Sequence, residues 1–109
     1  MSTLLRSTLS ALLLAATALS ATAKEVVIDV RTPQEYASGH IDGAINIDHT
    51  LIGQEIGKAK VAKDDTVILY CRSGRRSELA METLQKMGYS KAVNYGGIDD
   101  AAKRLHKKY

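Results

Sequence analysis

The stretch Thr66-Val67-Ile68-Leu69-Tyr70-Cys71-Arg72-Ser73-Gly74-Arg75-Arg76-Ser77 decides the fold. Residues 66–70 form an almost unbroken apolar run without the alternation of a half-exposed strand. That pattern belongs to a central parallel strand covered on both faces. The run ends at Cys71 and a short loop containing one glycine, Gly74. Beyond the loop, Ala80, Thr83, Leu84 and Met87 recur at i, i+3, i+4 and i+7. This spacing predicts the apolar face of an amphipathic helix, which Gly88 ends.

The same alternation of elements continues in both directions. Residues 26–30, Val-Val-Ile-Asp-Val, read as a buried strand. Thr32 is placed to cap a helix and Pro33 suits its first turn, predicting a short helix over 33–38 that Gly39 stops. Residues 44–47 read as a second short strand. Residues 49–57 read as helical, with Leu51, Ile52 and Ile56 on one side, and 57–65 as a polar surface connection. Residues 91–95 give a last strand, followed by Gly96-Gly97 and a helix from about residue 99. Strands alternating with helices imply an α/β fold with a mainly parallel sheet, flanked by helices joined through right-handed crossovers.

The first residues carry a different signal. Met1 to Arg6 contributes one positive charge, residues 11–19 read ALLLAATAL, and Ala21-Thr22-Ala23 supplies small residues. This is the three-part layout of a secretory signal peptide, with cleavage expected after Ala23. The apolar run falls short of the roughly 20 residues that span a bilayer, and an uncleaved anchor is the competing reading. The expected organisation is a signal peptide over 1–23 and one domain over 24–109, exported to a periplasm or an equivalent space.

A net charge of +3 over 109 residues is too small to argue for nucleic acid. The basic end, Lys103, Arg104, Lys107 and Lys108, reads as a solvated helix terminus facing the negative end of the helix dipole. No membrane contact is expected once the signal is removed, and a monomer is expected. Cys71 is the one cysteine, so no disulfide forms within the chain. In an exported protein an odd cysteine points to a reactive thiol or an intermolecular bond. The bland reading is a buried cysteine acting as a small hydrophobe.

The residues around Cys71 favour the reactive reading. A strand delivers it to the carboxyl end of the sheet, where open parallel sheets place their reactive groups. The loop feeds a helix N-terminus, and its backbone N–H groups can form an anion-binding nest. Arg72, Arg75 and Arg76 add positive charge. Each feature favours thiolate over thiol, so the Cys71 pKa is expected to be lowered. Such a thiolate can attack a sulfane sulfur, and the cradle can hold the resulting persulfide or an oxyanion.

With these residues in place, the sequence resembles the rhodanese family, in particular its small exported single-domain members. The resemblance runs over nearly all of residues 24–109. It rests on Asp29-Val30-Arg31 with Glu35-Tyr36, on the signature Gly39-His40-Ile41-Asp42-Gly43-Ala44-Ile45-Asn46-Ile47, on the loop over 71–76 and on Gly96-Gly97. It implies transfer of sulfane sulfur from a donor such as thiosulfate to a thiophilic acceptor such as cyanide. The implied intermediate is a persulfide on Cys71, with no metal and no organic cofactor. Cys71 would be the catalytic residue, and Arg72, Ser73, Gly74, Arg75 and Arg76 would bind substrate. Arg76 matches the family's loop arginine and is expected to steady the loop and the bound anion. Asp29 and Arg31 would support the loop. Related phosphatases bracket five residues between Cys and Arg, whereas Cys71 and Arg76 bracket four, which disfavours a phosphatase.

Other residues carry narrower expectations. Arg31 precedes Glu35 by four residues, a spacing that permits a helical ion pair. His40 sits within a signature and is expected to support the fold rather than catalyse. His49 and His106 have no cluster of ligands near them in sequence, so no metal site is expected. Two alternatives to the enzyme use the same cysteine. One is a persulfide carrier that hands sulfur to a partner protein. The other is a redox sensor that forms mixed disulfides, for which the arginine-rich loop would be superfluous.

Overall fold

The protein, a computed structural model, is described over residues 22–109. The signal-peptide reading falls almost wholly on residues 1–21, outside the described residues. Four strands form a parallel sheet: β1 (Glu25–Asp29), β2 (Ile45–Asn46), β3 (Thr66–Cys71) and β4 (Ala92–Gly97), in the order β2-β1-β3-β4. Helix α1 (Pro33–Ala37) follows β1. After β2 come a 3-10 turn (His49–Leu51), α2 (Ile52–Glu55) and a second 3-10 turn (Ile56–Ala59). Helix α3 (Arg75–Lys86) follows β3, and α4 (Ile98–Leu105) follows β4.

The unbroken apolar run of β3 is explained by what covers it. Val67, Leu69 and Cys71 face one side of the sheet, in a core with Ile52, Ile56, Ala80 and Leu84. Ile68 and Tyr70 face the other, with Ile41, Ala44, Ala101 and Ala102. Because strand side chains alternate, a strand enclosed on both faces needs apolar residues at every position. β3 is therefore the central element, and Cys71 is its last residue.

Local chemistry sets the boundaries. Thr32 and Glu35 form a reciprocal capping box, with Pro33 in the first turn of α1. The end of α3 is closed by Tyr89 N–H donating to Leu84 C=O at 2.9 Å, with Gly88 at φ +103°, a conformation glycine adopts without strain.

Two sequence expectations change. The helix expected over 49–57 is broken into 3-10, α and 3-10 turns ending at Lys60, which has φ 59°. With Gly53 and Gly57 inside it, the segment has weak helical preference, and burial of Ile52 and Ile56 holds it in place. The connection expected to be wholly on the surface over 57–65 contains two buried residues, Val61 and Asp65. The Asp65 carboxylate accepts backbone N–H groups of Lys24 and Ala62, each at 2.8 Å. These bonds hold its pKa below the usual carboxylate range and tie the start of β1 to the entry of β3.

Tyr70 supplies the polar anchor on the opposite face. Its hydroxyl is buried and accepts the backbone N–H of Ile41 at 3.0 Å. Tyr70→Phe is expected to leave that buried donor unsatisfied and to cost about 1–3 kcal/mol, read as a lowered urea midpoint with an unchanged m-value.

Candidate active site

β3 carries Cys71 to the carboxyl edge of the sheet, and the chain turns at once through Arg72, Ser73 and Gly74 into α3. Gly74 has φ 96° and occupies the helix N-cap. Its N–H donates to Cys71 Sγ at 2.9 Å, and the backbone amides of Ser73 and Ser77 add to the pull that lowers the pKa of the sulfur. The loop curls this tightly because it rests on bare backbone. A Cβ on Gly97 would lie 2.5 Å from the carbonyl oxygen of Arg72, and one on Gly74 would lie 3.3 Å from Gly96 Cα.

The sulfur is enclosed. Cys71 is 0% exposed; the loop that donates to the sulfur also covers it. Burial pushes the thiol pKa up, but the Ser77 hydroxyl and the three backbone amides oppose it, and the balance falls below the ordinary value. The lowering therefore comes mainly from aligned short-range donors rather than from a cloud of arginine charge.

The three arginines divide. Arg72 and Arg75 are exposed. The charge of Arg76 reaches Cys71, yet its guanidinium is engaged by Glu35 of α1 in a two-pronged ion pair, Nη1–Oε1 at 2.7 Å and Nη2–Oε2 at 3.0 Å. The hydrogen bond from Arg76 holds the Glu35 carboxyl down at about 2. Glu35 thus closes the capping box and clamps the far side of the loop at once. The helical pair expected between Arg31 and Glu35 does not form, because Arg31 precedes the N-cap and lies off the helix. Arg31 instead grips Asp29, Nη2–Oδ2 at 2.7 Å, and donates to Gly39 C=O at 2.7 Å.

The profile of the rhodanese-like domain matches residues 14–103. The chain belongs to the rhodanese family. A thiosulfate sulfurtransferase of Escherichia coli, PspE, is 45% identical over 80 residues, covering 73% of this chain and 77% of that protein. YrkF of Bacillus subtilis, which bears a sulfur-carrier designation, is 36% identical over 69 residues, 62% of this chain and 36% of that protein. A solved E. coli rhodanese with anions superposes with a TM-score of 0.67 at 45% identity, covering 70% of this chain and 89% of that one. The α/β architecture of the described residues is that of the rhodanese fold.

Within this rhodanese, Cys71 ends β3, Arg72, Ser73 and Gly74 form the loop, and Arg75 and Arg76 open α3. The bonds of Asp29 and Arg31 run to each other, to Gly39 and, through Arg31 C=O, to Asn46 at 3.0 Å. Neither side chain hydrogen-bonds the loop; Arg31 instead lies over the ring of Tyr70, 5.8 Å from its centroid. His40 stacks on Tyr36 with ring centroids 3.6 Å apart and bonds Tyr36 C=O through Nδ1, a contact within the fold. His49 lies beside Asp48, Nδ1–Oδ1 3.4 Å.

Three residues that touch the loop are not singled out by the sequence. The spacing around Glu35 points to Arg31, whereas its partner is Arg76. Ser77 reads as part of the loop run without a role of its own. A hydroxyl in the first turn of α3 is nevertheless placed to face the sulfur, and it lies 3.3 Å from Sγ. Asn94 reads as an ordinary strand residue. Its signal is a polar side chain in the run Ala92-Val93-Asn94-Tyr95, just before the glycine pair.

This geometry can be challenged at two points. Gly97→Ala drives a Cβ into the Arg72 carbonyl, and is expected to cost about 1–3 kcal/mol and to change the rate of Cys71 alkylation by iodoacetamide. Glu35 titrates lower in the folded state than in the unfolded chain, so its contribution is in place above the ordinary Glu value of roughly 4.3 and is lost as the pH falls towards about 2. Urea midpoints measured from pH 5 down to pH 2.5 are expected to fall more steeply for the unaltered protein than for Glu35→Gln.

Proposed function

We propose that this rhodanese is a thiosulfate sulfurtransferase that carries sulfur as a persulfide on Cys71. The observation that supports it is the enclosed sulfur with the Gly74 amide and the Ser77 hydroxyl bonded to it at the head of α3, an arrangement that lowers its pKa. This arrangement stabilises an anion at the sulfur and excludes bulk water. The Cys71 thiolate attacks the outer sulfur of thiosulfate. A sulfur–sulfur bond forms at Sγ, the bond to the sulfonate sulfur breaks, and sulfite leaves with the electron pair. Cyanide then attacks the outer sulfur of the persulfide, thiocyanate departs, and Cys71 returns as thiolate. No general base is required, because the nucleophile and both leaving groups are anions.

The division among the arginines supports a division of roles. Arg76, neutralised by Glu35, orders the loop. Arg72 and Arg75, exposed beside Ser73 and Gly74, attract the anionic donor. Asp29 and Arg31 hold the end of β1 beneath the site. We further propose that residues 1–23 form a cleaved export signal and that residues 24–109 work as a monomeric domain in the periplasm. Among the described residues no helix is long and apolar enough to cross a membrane.

A persulfide carrier serving a partner protein is the second reading, favoured by the similarity to YrkF, which bears a sulfur-carrier designation. Comparing the rate with cyanide against the rate with protein-borne thiols separates the two.

The test is intact-mass spectrometry with thiosulfate and then cyanide. A gain of about 32 Da, one sulfur atom on the nucleophilic thiolate, is expected to appear on the Cys71 peptide and to be removed by cyanide. Cys71→Ser is expected to take up no sulfur while remaining folded; an adduct that persists in Cys71→Ser refutes the assignment. Arg72→Ala with Arg75→Ala is expected to raise KM for thiosulfate about tenfold, in line with the loss of about 1.4 kcal/mol of binding, with little change in kcat. One residue inserted between Cys71 and Arg76 is expected to abolish sulfur transfer.

A further inference from the structure

We propose that Asn94 is a positioning residue that sets how readily Cys71 stands as thiolate, by competing with the sulfur for the single hydroxyl proton of Ser77. The proposal deepens the reading of Cys71 as the reactive thiol and rests on it.

The orientation of the Asn94 amide follows from its partners. Oδ1 receives the backbone N–H of Gly96 at 2.8 Å, so that atom is the oxygen. Nδ2 donates to Gly74 C=O at 3.0 Å and to Glu78 Oε1 at 3.0 Å, both acceptors. The amide therefore presents its oxygen to Ser77.

Ser77 is 0% exposed. Its Oγ lies 2.6 Å from Asn94 Oδ1, 3.1 Å from Gly74 C=O and 3.3 Å from Cys71 Sγ. It has one proton for these three neighbours, and the first two can only accept. Sulfur differs with its charge: as a thiol it can donate, and as a thiolate it can only accept.

Two arrangements result. With a thiol, Cys71 S–H donates to Ser77 Oγ while the Ser77 hydroxyl donates to Asn94 Oδ1, and every proton is used. With a thiolate, the hydroxyl turns to the sulfur, and Asn94 Oδ1 keeps only the N–H of Gly96. The amide oxygen thus favours the thiol. The amide nitrogen works the other way, since it braces Gly74, whose own N–H donates to the sulfur. One side chain both tightens the cradle and restrains the donor inside it.

The charges around this group are Arg76 and Glu78 on α3, Glu35 of α1 paired with Arg76, and Asp48 and His49 after β2 near Arg76. Asp100 of α4 lies beside Gly96, Arg72 stands on the loop and Arg75 opens α3. All of them are the same in each comparison below.

The test is the pH dependence of Cys71 alkylation by iodoacetamide in four proteins: unaltered, Ser77→Ala, Asn94→Leu and the double variant. Ser77→Ala is expected to raise the midpoint. The change caused by Asn94→Leu is expected to lie about one pH unit lower with Ser77 present than in the Ser77→Ala background, a tenfold difference in the thiol–thiolate ratio. Equal changes in the two backgrounds would overturn the proposal, because a brace alone acts identically in both. If Asn94→Leu does not fold, Asn94→Asp gives the same comparison with opposite sign. A carboxylate holds the hydroxyl more firmly, so its upward shift is expected to be larger with Ser77 than without it, and equal shifts again refute competition. Alkylation does not depend on sulfur transfer, so the role of Asn94 is tested even in a protein inert to thiosulfate.

Discussion

The contact between the Arg72 carbonyl and Gly97 is the constraint on which the site depends. The loop after β3 has only three residues before α3 begins, and it must fold back far enough to aim several N–H groups at one sulfur. That requires its backbone to lie directly on the end of β4. A single methyl group at residue 97 would stand 2.5 Å from the carbonyl oxygen. The anion cradle is therefore as much a property of β4 as of the loop that forms it, and the sheet order that sets β4 beside β3 is part of the chemistry.

A second layer fixes the loop from the side of α1. Glu35 belongs to a five-residue helix with no fully buried residue, so packing alone holds that helix weakly. Its capping box and its ion pair with Arg76 share the same carboxylate, which couples the order of α1 to the order of the loop. That coupling leaves most of the Arg76 charge committed to Glu35. The electrostatic work at the sulfur then falls to dipoles, which are short-ranged and depend on alignment, while the long-range field is left to Arg72 and Arg75. In the proposed function, a site built this way separates attraction of an anion from stabilisation of the bound one.

Much of this was legible in the sequence. The run over 66–70 announced the central strand because enclosure on both faces leaves no polar position, and Thr32, Pro33 and Gly88 marked helix ends by their own conformational preferences. The loop was legible because its residues are contiguous. What escaped were partnerships between distant segments. Arg31 and Glu35 carry the right spacing for a pair, but spacing cannot show that Arg31 lies outside the helix. Asp65 looked like one more surface acid in a charged connection, and only the arrival of Lys24 and Ala62 makes it a buried anchor. Ser77 and Asn94 are 17 residues apart and meet only when β4 is laid beside β3.

The bond between Lys24 N–H and Asp65 bears on the cleavage proposed after residue 23. A chain beginning at Lys24 would carry an ammonium group where the longer chain has an amide, 2.8 Å from a carboxylate that is 1% exposed. The neutral donor would become a charged one, and the bond an ion pair between an exposed ammonium and a buried carboxylate. Under the proposed cleavage, the domain that starts at Lys24 would carry an ion pair that the longer chain lacks.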